Sequence, residues 1–133
     1  MDEERILSKI DELDQYQKEL KEDLPGTLED YKDSRRKYER LLHLSIETVV
    51  DISTLILKQE GLGAPSDEES VFDKLVEGKV FDPGFGAKLK NMKSFRNILV
   101  HRYGEINDEE VFQKLDELED FSEFRQNVIE YLD

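Results

Sequence analysis

The residue types best suited to chemistry lie in one octapeptide, Arg96-Asn97-Ile98-Leu99-Val100-His101-Arg102-Tyr103. A histidine with an ordinary pKa of ~6.5 can take or give a proton near neutral pH. An arginine fork can grip a phosphate and stabilise charge that builds on its oxygens. Asn97 can orient either group by hydrogen bonding. Together they suit metal-free cleavage of an RNA phosphodiester. There the ribose 2′-OH attacks its own phosphate, so neither a metal nor a water nucleophile is required. Arg96 and His101 are five positions apart, which places them about 140° apart around a regular helix. They can share a groove only at an interface or where the last turn unwinds. The same residue types also fit a surface salt-bridge arginine and a helix-capping histidine, and the residues alone leave both readings open.

Other chemistries find less support. The chain has no cysteine, which excludes a disulfide scaffold, a thiolate metal site and a Cys nucleophile, and fits a reducing cytosol. It has no Gly-x4-Gly-Lys-Ser/Thr phosphate loop, and Gly84-Phe85-Gly86 lacks the third glycine and the preceding strand of a dinucleotide fingerprint. Di-metal helical bundles use Glu-x-x-His on two helices. Here Glu39 and His43 are four apart, and no Glu stands three before either histidine. No Gly-x-Ser-x-Gly elbow is present. The expectation is a site without metal or cofactor.

The elements that must position the octapeptide are helical. Period-2 alternation is weak and no Asn-Gly or Asp-Gly turn occurs. Ile6, Ile10, Leu13, Tyr16 or Gln17, Leu20 and Leu24 recur at helical spacing until Pro25-Gly26. Thr27 then reads as an N-cap for a second helix, with Leu28, Tyr31, Tyr38, Leu41 or Leu42, Ser45, Val49, Ile52 and Ile56 on its stripe. No breaker intervenes before Gly61, so this helix is expected to run unbroken for about 30 residues, roughly 45 Å. Ser66 with Glu69 reads as a capping box opening a short helix that ends at Gly78. Asp82-Pro83 reads as N-cap and first position of the helix carrying the octapeptide, with Gly104 as its end and Gly84 and Gly86 weakening its first turn. Asn107 with Glu110 opens a last long helix through Val111, Leu115, Leu118, Phe121 or Ser122, Phe124 or Arg125, Val128 and Leu132. The expected fold is all-α, one domain over residues 1–133: an up-and-down bundle of long amphipathic helices with one additional short helix.

The chain carries 133 residues with a formal net charge of −14, which on average repels phosphate. The charge is uneven. Residues 79–103 hold six basic side chains and one acidic, whereas residues 104–133 hold two basic and 11 acidic. The basic island coincides with the octapeptide. A second basic run is Lys32, Arg35, Arg36, Lys37 and Arg40. Either run can equally be a solvated helix face. No apolar stretch approaches a membrane span, and the acidic Met1-Asp2-Glu3-Glu4 is unlike a signal peptide, so a cytoplasmic protein without membrane contact is expected.

Arg96-Asn97-Ile98-Leu99-Val100-His101-Arg102-Tyr103 resembles the Arg-x4-His-x-Tyr motif of the HEPN (higher eukaryotes and prokaryotes nucleotide-binding) superfamily, and within it the HepT toxins. The spacing matches at all three positions, and Asn97 matches the polar residue after the arginine. The long second helix, the Gly61-to-Pro65 loop, Ala64-Pro65-Ser66, the short helix and the acidic last helix follow the same order. The resemblance implies a helical homodimer whose motifs face one cleft and which cleaves RNA, often tRNA, without metal. It also implies a partner, an MntA-like nucleotidyltransferase antitoxin that transfers AMP onto the motif tyrosine.

Carried onto this chain, Arg96 would bind phosphate and His101 would be the general acid/base. Asn97 would assist, and Tyr103 would be the AMPylated residue. Lys88, Lys90, Lys93 and Arg102 are the RNA-backbone candidates. His43 reads as a structural helix histidine. The alternative is a non-catalytic helical subunit that binds a nucleotide or a nucleotidyltransferase, to which the acidic balance is suited. Tyr103 can also be a packed helix-end aromatic.

Overall fold

The computed structural model describes residues 2–63, 65–101 and 107–133; of Asp2, Glu68, Glu69, Val100 and His101 it describes the backbone. Arg102, Tyr103, Gly104 and Ala64 therefore lie outside the described residues. Seven helices and no strand are found among those described: α1 (Asp2–Glu22), α2 (Leu28–Asp33), α3 (Arg35–Glu60), α4 (Glu68–Glu77), α5 (Pro83–His101), α6 (Asp108–Lys114) and α7 (Glu119–Leu132).

The core forms around α3. Ile46, Val49, Ile52 and Ile56 are almost wholly buried along it. α1 lies against α3 through Ile6, Ile10, Leu13 and Leu20, with α4, α5 and α7 also packed on α3. Of the two residues that fit the α1 stripe at its centre, Gln17 is the buried one, and its amide donates to Ser45 Oγ at 3.0 Å. Gly61 closes α3 in the left-handed region at φ 66°, where its N–H reaches the Leu57 and Lys58 carbonyls.

The second helix is not continuous. It breaks at Ser34, whose backbone (φ −131°, ψ 32°) leaves the helical region and whose N–H bonds to Tyr31 O. Ser and Asp compete with helix geometry through local hydrogen bonds, and Asp33-Ser34 supplies both. The gain is aromatic packing. Seven residues of straight helix would separate Tyr31 from Tyr38 by about 10.5 Å of rise. Across the turn their rings stack with centroids 5.7 Å apart, and Tyr31 also meets Phe112 of α6 at 6.3 Å.

The last helix is also divided. Leu115, Leu118, Phe121 and Phe124 are all buried at successive spacings of three. A 3.6-residue helix would carry that series off one face, so the chain tightens between α6 and α7. The amides of Leu115, Asp116 and Glu117 each bond to the carbonyl three residues back, at 3.0–3.2 Å. The cap of α4 lies one residue later than the sequence suggested. Asp67 accepts from Ser70 N at 2.8 Å and Ser70 Oγ accepts from Asp67 N at 3.3 Å, in place of a Ser66–Glu69 pair.

Gly86 is where α5 meets α4. A Cβ built there would lie 2.5 Å from Val76 Cγ2, a β-branched side chain with little room to turn. The glycine that weakens α5 as a helix thus permits its closest packing. Gly86→Ala is expected to lower stability by about 1–3 kcal/mol. A urea titration would show the shift, and Val76→Ala in the same chain should recover most of it.

Candidate active site

Helix α5 positions the octapeptide. Its N-terminus is fixed by Asp82, whose Oδ1 accepts from Phe85 N at 2.8 Å, and Pro83 occupies the first helical position. Phe85, Leu89, Phe95 and Leu99 then anchor the helix in the core. Because of this anchoring, the helix holds its polar residues at a defined height and angle. Arg96 and Asn97 are half-buried, and Arg96 Nη1 donates to Asn97 Oδ1 at 3.2 Å. This bond holds the two neighbouring polar side chains together. The described backbone of α5 extends to His101. A partly buried guanidinium fixed by a neighbour is a better phosphate clamp than a free surface arginine, because less rotamer entropy is lost on binding.

Beyond the motif, the described chain resumes at Asn107, and there a corner is held by side chains. Asn107 caps α6, accepting from Glu109 N and Glu110 N at 2.9 and 3.4 Å. Asp108 is gripped by both arms of Arg35, at 2.8 Å from Nε and 2.6 Å from Nη2. Beneath that clasp, burial pushes the Glu39 carboxyl above its ordinary pKa against the fields of Arg35 and Arg36, while Asp108 adds to the rise. Burial likewise raises the Tyr31 hydroxyl, with Glu39 as the next cause. Sequence reading missed the clasp. Its partners are 73 residues apart, and no local pattern links them.

The lysines of the basic island have their own surroundings. Lys88 Nζ is 3.2 Å from Glu123 and 3.9 Å from Asp120 of α7. Lys90 Nζ is 3.2 Å from Asp73 of α4, and Lys93 is only 7% exposed. Two of the island's lysines, Lys88 and Lys90, are therefore matched by acidic groups from other helices. His43 is half-buried on α3, with Nε2 at 3.3 Å from Glu47. Among the described residues, no three His, Cys, Asp or Glu converge as metal ligands, and no helix is long and apolar enough to cross a membrane.

A concavity of about 400 Å³ lies between α3, α5 and the α6–α7 junction. Leu42, Ile46, Met92, Phe95 and Phe121 line it, and carboxylates including Asp116 and Glu117 stand at its edge. Lys114 lies with its Nζ 5.5 Å from the Phe95 ring centre and 3.3 Å from Glu117.

A helical bundle whose motif helix carries Arg-x4-His, with a tyrosine two residues on in the sequence, has the architecture of a HEPN domain. The family model described as "Ribonuclease HepT-like" matches residues 6–128, and the chain belongs to that family. The mRNA nuclease HepT of Shewanella oneidensis is 34% identical over 79 residues, 59% of each chain. A curated relative from Archaeoglobus fulgidus is 35% identical over 74 residues, 56% of this chain and 55% of its own length. The chain thus spans little more than half the length of these two relatives in the matched part. Among solved structures, a tri-AMPylated Shewanella oneidensis HEPN toxin in complex with an MNT antitoxin superposes with a TM-score of 0.84 at 27% identity, covering 92% of this chain and 95% of that one.

Proposed function

We propose that this chain is a metal-independent endoribonuclease toxin of a HepT/MntA-type toxin–antitoxin pair, acting in the cytoplasm on RNA, with tRNA as the substrate class. The observation that carries this reading is the Arg96–Asn97 clamp, built into a rigid α5 that ends at His101, in a chain of the HepT-like family.

In this mechanism Arg96 holds the scissile phosphate and Asn97 holds Arg96. His101 moves the proton. The ribose 2′-oxygen bonds to phosphorus as the bond to the 5′-oxygen breaks. The 2′-hydroxyl gives up its proton and the leaving 5′-oxygen receives one. The products are a 2′,3′-cyclic phosphate and a 5′-hydroxyl. The nucleophile is part of the substrate, which is why no metal-bound water is needed. A homodimer would bring two motifs to one cleft and so resolve the 140° offset between Arg96 and His101 within a single helix. Arg102 is proposed to meet the RNA backbone. Lys88, Lys90 and Lys93 would do so by exchanging their present surroundings for phosphate, at modest cost for the two exposed pairs, since such pairs are worth about 0–1 kcal/mol.

The regulator is an MntA-like nucleotidyltransferase that transfers AMP from ATP onto Tyr103. Each added phosphate is negative and each adenine bulky, so both charge and volume oppose RNA beside Arg96 and His101. The purified chain should cleave tRNA in EDTA. After incubation with ATP and the antitoxin, mass spectrometry should show AMP adducts on Tyr103 and the cleavage should be lost. Adducts that persist in Tyr103→Phe would sink the tyrosine assignment. A second reading, a non-catalytic subunit for a nucleotidyltransferase, draws on the acid-edged apolar concavity at the α6–α7 junction. Binding of that partner with no cleavage of any RNA would favour it.

A further inference from the structure

Arg36, Arg40 and His43 follow one another along α3 at spacings of four and three, which sets all three within about 60° of one another around the helix axis. Arg36 and Arg40 are exposed, and His43 is half-buried beside them. Among the described residues no carboxylate pairs with Arg36 or Arg40. Their neighbours differ: Lys32 is held by Glu29, Arg35 by Asp108, and Lys37 by Asp23. The lysines of α5 differ too, since Lys88 and Lys90 are paired and Lys93 is buried. Of the carboxylates beside the stripe, Glu39 is buried and Glu47, at the far end, is engaged with His43.

The stripe also lies beside the motif. Its first member follows Arg35, which grips Asp108 seven positions after His101. Arg36 directly follows Arg35 on α3 and lies one turn before Glu39, whose buried carboxyl feels the charges of both Arg36 and Asp108. Farther along, Leu42 and Ile46 of α3 line one concavity with Met92 and Phe95, the residues just before Arg96. So α3 runs past the motif, and its exposed arginines stand at that height on a face about 100° around the helix from the one that lines the concavity.

We propose that Arg36 and Arg40, with His43 beside them, form a phosphate-binding rail for single-stranded RNA leading to the motif. This rests on the ribonuclease reading above and deepens it. The rail rises about 10 Å over its seven residues, close to three nucleotides of a stacked strand at ~3.4 Å each. Exposed guanidinium groups that form no close ion pair can release counterions from RNA without first breaking one.

The test uses the His101→Ala chain, which should bind RNA without cutting it, and a fluorescein-labelled single-stranded RNA followed by anisotropy across a salt series. Adding Arg36→Gln and Arg40→Gln should weaken binding about tenfold or more and make the log–log salt slope shallower by about 1.4, two contacts at ~0.7 each. Lys58→Gln with Lys79→Gln, at the other end of α3 and beyond α4, should change neither. In the cleaving chain, the arginine pair of substitutions should raise KM and leave kcat in place. Unchanged affinity and slope in the arginine variant would overturn the rail, as would an equal loss in the lysine variant. So would loss of nucleotidyltransferase binding with RNA binding intact. If the chain with an intact rail binds no RNA at all, the ribonuclease reading itself fails, and the rail with it.

Discussion

His101→Ala is expected to cut RNA about 10²–10⁴-fold more slowly than the unaltered chain, the usual contribution of a positioned general acid/base. The loss should fall on kcat, because His101 acts on protons in flight whereas phosphate binding belongs to Arg96. Arg96→Lys should behave differently. It keeps the charge and removes the planar fork that both grips phosphate and donates to Asn97 at 3.2 Å, so KM and kcat should both suffer. Single-turnover cleavage of a labelled RNA in EDTA would separate the two patterns. Equal activity of His101→Ala and the unaltered chain would remove histidine from the mechanism. Since His101 ends α5 beyond its last described core residue, Leu99, the substitution should leave the circular-dichroism spectrum in place.

Phe124→Ala is expected to produce the largest loss of stability, about 3–5 kcal/mol from lost burial and the cavity left behind. Against a domain stability of roughly 5–15 kcal/mol, that is from about a fifth to the whole of the total. Phe124 is fully buried, and its ring meets Phe81 at 5.9 Å and Phe85 at 6.5 Å, while those two meet each other edge-on at 5.4 Å. This trio ties α7 to the first turn of α5 and to the link before it. The consequence reaches the site, because α5 holds Arg96 only as firmly as its own N-terminal end is held. Chemical denaturation of Phe124→Ala and Phe124→Leu should rank the two, with leucine milder because it fills more of the cavity. A midpoint unmoved in Phe124→Ala would mean that the trio is not part of the cooperative core.

The acidic net charge takes on a different meaning in the fold. On the sequence alone, the basic island around the octapeptide stands against a chain that is otherwise strongly acidic. In the fold, α7 and α4 bring Glu123, Asp120 and Asp73 to the island's lysines. The acidic surplus of the last helices therefore serves partly to neutralise α5. Among the described residues, Arg36 and Arg40 are exposed and form no close ion pair; both lie on α3, in the run that charge counting ranked second.

Sequence by itself determined the motif and the helices that carry it. The Arg-x4-His-x-Tyr spacing, the Asp82-Pro83 start of α5, the Asn107 cap of α6 and the Gly61 and Gly78 ends are local signals, readable because caps, breakers and a 3.6-residue period act within a turn or two of chain. The break at Ser34 was not legible in the same way. It depends on Tyr31 finding Tyr38 and Phe112, and Phe112 belongs to a helix some 80 positions on. The tightening between α6 and α7 was half visible, in a run of apolar residues at spacing three that only burial of all of them made decisive. The Arg35–Asp108 clasp, and the choice of which cations are paired and which stay open, were decided by tertiary structure alone. An ion pair falls off within a few ångströms of solvent-screened distance. It therefore records which helices touch, and periodicity along one helix carries no information about that.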